Sequence, residues 1–586
     1  MRHDRDSQAE TRLAVVLEGT RSPPVNAGDF NALGIQLLSA GDALPALAAF
    51  RRALDTQSDF PEAVNNLGNA LKALDDTAGA LEAYARVCEM LPSVPEAHCN
   101  LGSAWQDAGR ADLALPAFRR ALELRPDFAY ALGQLANLLQ RCAQWPELDA
   151  VIDAIRARIA AGSAADIPPF NLLSLPRITA GEQTACARQE CAHDYADALA
   201  TAPRPTVAGR REGPLRIGYL SADFHAHATS WLLAGVLETH RRDKVEVHAF
   251  SYGPDDHSDT RKRVMKACDA FHEIAHLGHH AAANLISNLG IDILVDLKGH
   301  TRNARPEICA LRPAPLIVNW LGYPGSLGHP RLADYLIGDP VVTPATHAAD
   351  YSETLALMPF SYQPNDAARR RPVPGKRSDH GLPDAAVVFC SFNQTYKLTP
   401  DVFDDWCAIL ASVPDGVLWM LEPDNALAAE NLRAETLRRG IDPQRLHFAP
   451  PCAQDAHMDR LPLADIALDT FPYTSHTTGS DALWAGVPLL TRIGDTFPSR
   501  VAASLLTTLG LTELIVLDRI GFVRQGIRLG HDPAARQQLR QRLLALRAES
   551  PLFDSARFAR DLEALYAEMW RDHAAGIRRP IAIQSV

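Results

Sequence analysis

The stretch ADIALDTFPYTSHTTGSDALWAG, residues Ala464–Gly486, decides the fold of the chain around it. It opens as a short apolar strand, Ile466–Leu468, which ends on the acid Asp469. A polar loop follows, and then an apolar run through Trp484 that suits a helix. A strand, a loop and a helix in this order are typical of a parallel sheet that presents a helix N-terminus to a ligand. The stretch therefore predicts a doubly wound α/β domain with a binding site at one edge of its sheet.

Polar residues gather where this helix begins, in the run His476-Thr477-Thr478-Gly479. The free N–H groups and the dipole of a helix N-terminus favour a phosphate, and the two threonines add hydroxyl donors. We place Asp481 in the first turn, where its carboxylate is suited to ribose hydroxyls. The alternative interpretation is that Thr478 is only an N-cap and His476 only a loop residue.

Composition limits the class of protein. The chain has 586 residues, which predicts three or more domains. Its formal charge of -12 argues against nucleic acid or a membrane surface as the main ligand. No apolar run approaches the roughly 20 residues that a membrane span needs, and the charged N-terminus does not resemble a secretory signal. Ten scattered cysteines without a C-x-x-C pair favour reduced thiols in a cytoplasmic protein and no zinc site.

A repeat of thirty-four residues fills the first part of the chain. Its markers are Leu33-Gly34, Leu67-Gly68 and Leu101-Gly102, with Ala46, Ala80 and Ala114 and the aromatic residues Phe50, Tyr84 and Phe118 in the same phase. This pattern is the tetratricopeptide signature, in which small residues let two helices approach and an aromatic ring fills the gap. The pattern is clear over Asp29–Arg125, and a degenerate unit at Ala129–Ala160 predicts a terminal cap. The resulting α-solenoid is expected to bind peptides or proteins.

The periodicity then changes twice, which predicts the domain boundaries. A proline-rich stretch and one predicted helix over Thr179–Leu199 indicate a connecting segment. Strand and helix alternation then predicts two tandem Rossmann-like α/β domains that face a cleft, with the final helices Pro533–Leu546 and Phe558–Ala575 crossing back to the first. The predicted divisions are an extension at 1–28, repeats at 29–165, the connecting segment at 166–213, α/β domains at 214–372 and 373–576, and a tail at 577–586.

Candidate chemistry lies in polar clusters at predicted strand ends. They are Asp223–Thr229 in the first α/β domain, and Ser391–Lys397, Gln454–Arg460 and His476–Asp481 in the second. Neither a G-x-G-x-x-G nor a Walker P-loop is present in the sequence. A lysine and an arginine beside a helix N-terminus would neutralise a diphosphate without a metal, and no strand ends in an Asp-x-Asp pair. Each cluster taken alone is also compatible with a solvated loop.

Four motifs, together with the repeats, resemble one family. They are LGYPG (Leu321–Gly325), FNQTYK (Phe392–Lys397), SHTTGSDALWAG (Ser475–Gly486) and SRVAAS (Ser499–Ser504). In this order they resemble the O-linked N-acetylglucosamine transferases of glycosyltransferase family 41. The resemblance implies a GT-B fold and an inverting, metal-independent transfer from UDP-N-acetylglucosamine. It also implies protein or peptide acceptors bound through the repeats, and no cofactor.

The same resemblance assigns roles to individual residues. It implies catalytic roles for His227, as the base, and for Lys397. It places in the UDP and diphosphate site the residues Gln394, Lys397, His457, Arg460, His476, Thr477, Thr478 and Asp481. It places near the sugar and the acceptor the residues Tyr323, Pro324, Gly325 and Tyr473. Two departures from the animal enzymes bear on specificity, because Tyr473 stands where they have a cysteine and Gln454 where they have a lysine.

The sequence leaves three hypotheses for function. The first is transfer of N-acetylglucosamine from UDP to Ser or Thr hydroxyls of proteins. The second keeps the fold but uses another sugar, such as fucose or a hexose, or an Asn acceptor. The third is a repeat scaffold whose α/β part binds UDP without turnover. His227 also has a second interpretation, in which it only hydrogen-bonds the sugar or positions its loop.

Overall fold

A computed structural model describes residues 2–19, 23–202 and 213–585. Within it the chain divides into two compact units. One unit holds the residues up to Leu139 together with Leu277–Ala281, and the other holds 140–276 and the residues from Ala282 onward. The first unit contains the repeats, and the second contains the connecting segment and both α/β domains.

The repeat region consists of helices that pack in consecutive pairs, α2 with α3, α4 with α5 and α6 with α7. Its helices are α1 (Arg2–Glu18), α2 (Ala27–Ser39), α3 (Ala43–Thr56), α4 (Pro61–Ala73), α5 (Thr77–Met90), α6 (Pro95–Asp107), α7 (Ala111–Leu124) and α8 (Ala129–Arg141). The predicted close approach is present, because a Cβ on Gly34 would lie 2.4 Å from the ring of Phe50. The tetratricopeptide prediction is confirmed.

The predicted N-terminal extension at 1–28 needs a correction. Helix α1 packs against α3, where Arg52 forms an ion pair with Glu10 at 2.7 Å. Helix α2 begins at Ala27, and the side chain of Asn26 caps it. The described residues before Asp29 are therefore part of the helical array, since their apolar face covers the outer face of the first repeat.

The second unit begins within the predicted terminal cap of the repeats, and it includes α9 (Leu148–Ala160) of that cap. The connecting segment adds the helices α10 (Pro169–Leu172), α11 (Ala180–Asp194) and α12 (Ala196–Thr201). The single helix predicted over Thr179–Leu199 is wrong, because the helix stops at Tyr195, which is the C-cap of α11 and precedes α12. Its start is as expected, since Thr179 and Glu182 form a capping box. The end of this segment, 203–212, lies outside the described residues.

The first α/β domain, called the first lobe below, contains an eight-stranded parallel sheet. Its strands are β1 (Leu215–Ser221), β2 (Val245–Ser251), β3 (Ala270–Glu273), β4 (Ile293–Asp296), β5 (Leu316–Asn319), β6 (Tyr335–Gly338), β7 (Thr354–Leu357) and, from the end of the chain, β14 (Ile581–Ala582). Its own helices are α13 (Ala228–Thr239), α14 (Asp259–Ala267), α15 (His279–Asn288) and α16 (Pro306–Ala310). The strand order is β14-β7-β6-β5-β4-β1-β2-β3, so the order reverses between β1 and β4.

The second α/β domain, called the second lobe below, contains a six-stranded parallel sheet. Its strands are β8 (Val387–Ser391), β9 (Gly416–Leu421), β10 (Leu446–Ala449), β11 (Ile466–Leu468), β12 (Leu489–Arg492) and β13 (Ile515–Val516). Its helices are α17 (Pro400–Ser412), α18 (Ala426–Arg438), α19 (Gln454–Arg460), α20 (Thr477–Trp484), α21 (Val501–Thr508), α22 (Arg519–His531) and α23 (Pro533–Leu546). The strand order is β10-β9-β8-β11-β12-β13, so the order reverses between β8 and β11. The predicted strand–loop–helix unit is β11 followed by α20.

The end of the chain returns to the first lobe. Helix α24 (Ser555–Ala574) packs against α13, and its Leu562, Tyr566 and Met569 belong to the core of the first sheet. Strand β14 then pairs with β7. The crossing back of the last helix is as predicted, whereas α23 stays with α20 and α22. The predicted boundary at 576 and the predicted tail at 577–586 are wrong, because residues from Ser555 onward complete the first sheet and its core.

Candidate functional site

The second lobe has its candidate site where β8 and β11 lie side by side. Strand order reverses at this pair, and ligands of doubly wound sheets bind outside the carboxyl ends of such strands. The loop after β8 carries Asn393 and Lys397, and the loop after β11 carries Asp469 and the residues that lead into α20. The fold therefore brings together two clusters that lie about eighty residues apart in sequence.

Asn393 joins the two loops, although the residue predicted there was its neighbour Gln394. Its Nδ2 donates to the Ser475 Oγ at 2.7 Å, and its Oδ1 accepts from the Thr478 Oγ1 at 2.7 Å. The side chain of Gln394 is exposed, and its backbone oxygen accepts from the N–H of Lys397. The sequence signal for Asn393 is its place just after a buried strand. The motif FNQ includes both Asn393 and Gln394 and does not show which of them joins the loops.

Asp469 shapes the loop from inside. Its Oδ1 accepts from the N–H and the Oγ of Ser475, at 2.7 and 2.6 Å, and its Oδ2 accepts from the Thr491 Oγ1 at 2.6 Å. Burial raises the pKa of this carboxyl, and these hydrogen bonds oppose the rise. Because both oxygens already have partners, we interpret Asp469 as a structural acid that orders the turn before α20.

Lys397 is the cation of this site. Its side chain is buried, its Nζ donates to the Thr474 carbonyl oxygen at 3.1 Å, and it lies 3.9 Å from the centre of the Tyr473 ring. No carboxylate in the described ranges forms an ion pair with it. Burial lowers the pKa of Lys397 to about 7, and the charge of Asp469 opposes this only in part. A buried ammonium without a counter-ion is costly, so an anionic ligand would be stabilised here.

His476 points a buried nitrogen atom into the same region. It is the N-cap residue of α20, and its Nε2 has no hydrogen-bond partner among the residues that the structure describes. Burial and the nearby Lys397 ammonium hold its pKa well below the usual range, and a hydrogen bond to the Pro498 carbonyl opposes them. A neutral imidazole that donates one N–H to a carbonyl leaves its other nitrogen as an acceptor. Nε2 is therefore suited to accept a hydrogen bond from a hydroxyl group.

Helix α20 presents its first turn to this site. It begins at Thr477, and the N–H groups of Thr477 and Thr478 lie in the turn where a helix has no internal acceptors. His476 is the N-cap, so the alternative interpretation, in which Thr478 is the N-cap, is wrong. Asp481, which we predicted in the first turn, lies in the second. The Asp481 carboxylate is buried and accepts from Arg369 at 2.6 Å and from Gln454 at 3.2 Å.

A second pocket wall comes from α19. The His457 Nδ1 accepts from the Arg460 guanidinium at 3.0 Å, and its ring meets the edge of Phe392 at 5.1 Å. Burial lowers the pKa of His457 to about 4, so its ring is neutral at pH 7. Arg460 also donates to the Pro450 carbonyl oxygen at 2.6 Å and lies over the Phe392 ring. Arg460 is thus occupied by protein groups and positions His457, although we predicted that it would contact UDP.

The first lobe presents a matching site where β1 and β4 lie side by side. Asp223 follows β1, and Lys298 follows β4, with its Nζ at 2.9 and 3.0 Å from the two carboxylate oxygens. His227 is the N-cap of α13, which begins at Ala228. Its Nδ1 accepts from the Thr229 N–H at 3.3 Å and lies 3.5 Å from the Asp223 Oδ2.

The two neighbours of the His227 Nδ1 require opposite tautomers. The Thr229 N–H can donate only to an unprotonated Nδ1, whereas the Asp223 carboxylate would stabilise a hydrogen on Nδ1. Burial lowers the pKa of His227, the charge of Asp223 raises it, and the charge of Lys298 lowers it again. Lys298 therefore weakens the pull of Asp223 and favours the tautomer in which Nε2 carries the hydrogen. Lys298 was not among the residues predicted from the sequence.

The predicted sugar neighbourhood is a packed loop after β5. Gly322 is required there, because a Cβ would lie 1.9 Å from the Leu297 carbonyl oxygen. Tyr323 is buried, and the Gly325 carbonyl oxygen, beyond Pro324, accepts from Asn319 at 3.1 Å. Burial raises the pKa of Tyr473 in the other lobe, and the phenols of Tyr396, Tyr362 and Tyr323 raise it further.

Among the residues that the structure describes, no group of three or more His, Cys, Asp or Glu side chains has the arrangement of a metal site. Within the same ranges, no helix combines the length and the apolar composition that a membrane crossing requires.

A helical repeat array followed by two parallel-sheet lobes, with polar sites at both reversal points, defines a tetratricopeptide protein with a GT-B glycosyltransferase fold. Comparison of sequences identifies the family. The profile of glycosyl transferase family 41 matches residues 200–372 and 365–562, and that of the tetratricopeptide repeat matches 95–128. The chain belongs to glycosyltransferase family 41.

Individual relatives agree with this assignment. The probable UDP-N-acetylglucosamine–peptide N-acetylglucosaminyltransferase SEC of Arabidopsis thaliana is 36% identical over 63% of this chain and 38% of its own length. The UDP-N-acetylglucosamine–peptide N-acetylglucosaminyltransferase of Caenorhabditis elegans is 30% identical over 62% of this chain and 41% of its own length. The chain thus spans about two fifths of these curated relatives. A solved structure, a variant of the Thermobaculum terrenum O-GlcNAc transferase, is 27% identical with a TM-score of 0.67, over 94% of this chain and 98% of its own.

Proposed function

We propose that this protein transfers N-acetylglucosamine from UDP-N-acetylglucosamine to Ser or Thr hydroxyls of proteins, with inversion and without a metal. The observation that carries the proposal is the buried Lys397 ammonium beside the first turn of α20. The names of the family 41 relatives support the donor and the acceptor class.

The diphosphate would bind between Lys397 and the start of α20. As the bond from the anomeric carbon to UDP breaks, negative charge grows on the leaving phosphate oxygen. Lys397 and the N–H groups of Thr477 and Thr478 would stabilise that charge. Removing one such preorganised contact typically raises a barrier by about 3–4 kcal/mol. These groups would supply the positive charge that many nucleotide-sugar enzymes obtain from a metal ion.

Hydroxyl groups of the donor would meet acceptors in the protein. The His476 Nε2 is a buried acceptor without a partner in the described part of the chain. A phosphate oxygen, which only accepts, does not satisfy it, whereas a sugar or ribose hydroxyl does. His476 would therefore contact a hydroxyl group of the donor and not the phosphate. Asp481 keeps its proposed contact with the ribose, since a carboxylate can accept more bonds than the two from Arg369 and Gln454.

The acceptor hydroxyl would attack the anomeric carbon in line with the departing UDP, and its proton must go to a base. His227 is the candidate, and two routes are open to it. In one, Nδ1 holds its hydrogen toward Asp223, and Nε2 accepts the proton. In the other, Nδ1 is unprotonated and accepts from the Thr229 N–H, Nε2–H only donates to the sugar or the acceptor, and the hydroxyl proton passes to solvent. The ion pair of Lys298 with Asp223 favours the second route.

Donor choice is tested by a screen with the full chain. UDP-N-acetylglucosamine, UDP-glucose, UDP-galactose and GDP-fucose would be assayed for hydrolysis and for transfer to a mixture of proteins. We expect UDP-N-acetylglucosamine to give the highest kcat/KM, with the label on Ser or Thr. A preference for another sugar, or label on Asn, would move the protein to the second hypothesis. UDP binding without turnover of any donor would favour the scaffold.

Acceptor choice is tested by removing repeats. All proposed contacts to UDP itself follow residue 390, so deletion of Met1–Arg125 should leave UDP affinity within about twofold while sharply reducing transfer to folded proteins. Circular dichroism and the melting curve would first establish that the truncated chain is folded. A folded truncation that modifies proteins as fast as the full chain would place acceptor choice in the cleft.

A further inference from the structure

Three aromatic rings meet beside Lys397, and one of them comes from the connecting segment. Phe170 lies in α10, between the repeats and the first lobe. Its ring centre is 6.1 Å from that of Tyr396 and 6.2 Å from that of Tyr473, and the two tyrosines are 6.2 Å apart. All three pairs have the tilted or edge-on geometry that aromatic side chains prefer. We call these three residues the aromatic triad.

The triad is in direct contact with the proposed diphosphate site. The Tyr473 ring lies 3.9 Å from the Lys397 Nζ and 4.9 Å from the centre of the His476 ring. Tyr396 directly precedes Lys397 in the chain. Any change in the position of these two tyrosines therefore changes how much water reaches the Lys397 ammonium.

Phe170 is held on a rigid support. Ile167 and Leu172, on either side of it, are fully buried, and the Ile167 carbonyl oxygen accepts from the Cys186 Sγ at 3.3 Å. Further along the segment, Ser174 forms two buried hydrogen bonds, of 2.9 and 3.1 Å, with Gln140 of α8. A ring fixed in this way can hold its neighbours in place.

We propose that Phe170 is a positioning residue of the donor site, which packs Tyr473 and Tyr396 against Lys397 and closes this side of the site to water. The connecting segment thereby takes part in donor binding and is more than a spacer between the repeats and the lobes. This inference rests on the proposed function, because it assumes that Lys397 meets the diphosphate of UDP.

UDP binding at this site should be coupled to proton uptake by Lys397. Burial lowers the pKa of Lys397 to about 7 in the free protein, and a bound diphosphate would raise it again. UDP binding above pH 7 should therefore take up about one proton, and UDP affinity should fall as the pH rises. With Phe170 removed, water reaches Lys397, its pKa in the free protein moves back toward that of an exposed lysine, and both effects shrink.

The experiment is calorimetry of UDP binding to the full chain at pH 7.0 and 8.5, in buffers with different ionisation enthalpies. For the wild type we expect affinity to fall about tenfold between these pH values and about one proton to be taken up at pH 8.5. For Phe170→Ala we expect a fall of less than about threefold and a clearly smaller proton uptake. Phe170→Tyr, which keeps the ring, should behave as the wild type.

A matched control is Phe360→Ala, which removes another half-buried ring. Phe360 packs under the Arg557 guanidinium at 4.8 Å, outside the triad, and its removal should leave the pH dependence unchanged. Melting curves establish that each variant is folded. If Phe170→Ala no longer binds UDP, Phe170→Leu takes its place, and the same flattening is expected to a smaller degree.

The outcomes separate this inference from the function on which it rests. A wild-type chain that binds no UDP contradicts the proposed function itself. A wild type that binds UDP with proton uptake, together with a folded Phe170 variant that shows the same uptake and the same pH dependence, overturns only the role of Phe170. A flattened pH dependence in Phe170→Ala with wild-type behaviour in Phe170→Tyr and Phe360→Ala supports it.

Discussion

The two lobes carry the same three residue types at their reversal points but pair them differently. In the first lobe, the Lys298 Nζ lies 2.9 and 3.0 Å from the Asp223 oxygens, so the lysine and the acid neutralise each other. In the second lobe, Asp469 is bound by serine and threonine hydroxyls, and Lys397 donates to a carbonyl oxygen and faces a ring. Each lobe also places a histidine at the N-cap of the helix that follows.

The difference shows which lysine is available to an anion. An internal carboxylate about 3 Å away satisfies Lys298, so a phosphate would gain little there and would have to displace Asp223. Burial makes the charged form of Lys397 unfavourable in free energy, and a bound diphosphate would offset this desolvation cost. We infer that the second lobe binds the diphosphate of the donor. In the first lobe, the ion pair determines which ring nitrogen of His227 carries the hydrogen.

The largest expected effect comes from Lys397→Met. Turnover at saturating donor should fall several hundredfold, since one preorganised contact to the leaving group is worth about 3–4 kcal/mol. The melting temperature of the free protein should rise, because methionine removes a buried ammonium and keeps the volume. Steady-state kinetics and a melting curve measure both. A rise in KM with unchanged kcat would make Lys397 a ground-state anchor only.

Lys298→Met should have the opposite effect on stability. It leaves Asp223 buried without its cation, which should lower the free energy of unfolding by about 3 kcal/mol, while UDP affinity stays within about twofold. Denaturant unfolding and calorimetry measure the two quantities. The double variant Asp223→Asn/Lys298→Met should recover most of the stability, because neither charge remains. If Lys298→Met abolishes UDP binding in the folded protein, the contrast between the lobes is wrong.

Substitutions at His227 have the smallest expected effect on stability. Asn keeps an acceptor near the position of Nδ1, so His227→Asn should change the free energy of unfolding by less than about 1 kcal/mol. His227→Gln keeps a donor near the position of Nε2. If His227 only donates, Gln should retain turnover within about tenfold and leave the pH profile of kcat unchanged. If both variants lose a hundredfold and the acidic limb of the profile, His227 is the base.

Much of this arrangement was predictable from the sequence. The thirty-four-residue register predicted the repeats, since Gly34 must sit against Phe50. The strand and helix alternation predicted two Rossmann-like lobes, and SHTTG predicted the helix N-terminus at α20. Lys397 donates to the Thr474 carbonyl in the loop before that helix, and its contact with the diphosphate stays a prediction. Local patterns are reliable here because each residue acts on neighbours in its own strand or helix.

The features that escaped prediction depend on contacts between distant parts of the chain. Lys298 meets Asp223 from 75 residues away, and Phe170 meets Tyr396 and Tyr473 from more than 200 residues away. Strand β14 has only two residues, and pairing with β7 alone makes it a strand. Such features follow from packing, which the sequence of one chain does not reveal by period or motif.

The most direct test of the central claim is calorimetry of UDP binding in EDTA at pH 7, with the wild type, Lys397→Met and Lys298→Met. We predict that UDP binds the wild type without added metal, that Lys298→Met binds nearly as tightly, and that Lys397→Met loses at least about tenfold in affinity. Two results would contradict the account. One is an absence of binding in EDTA that Mn²⁺ restores, and the other is equal affinity in the wild type and Lys397→Met.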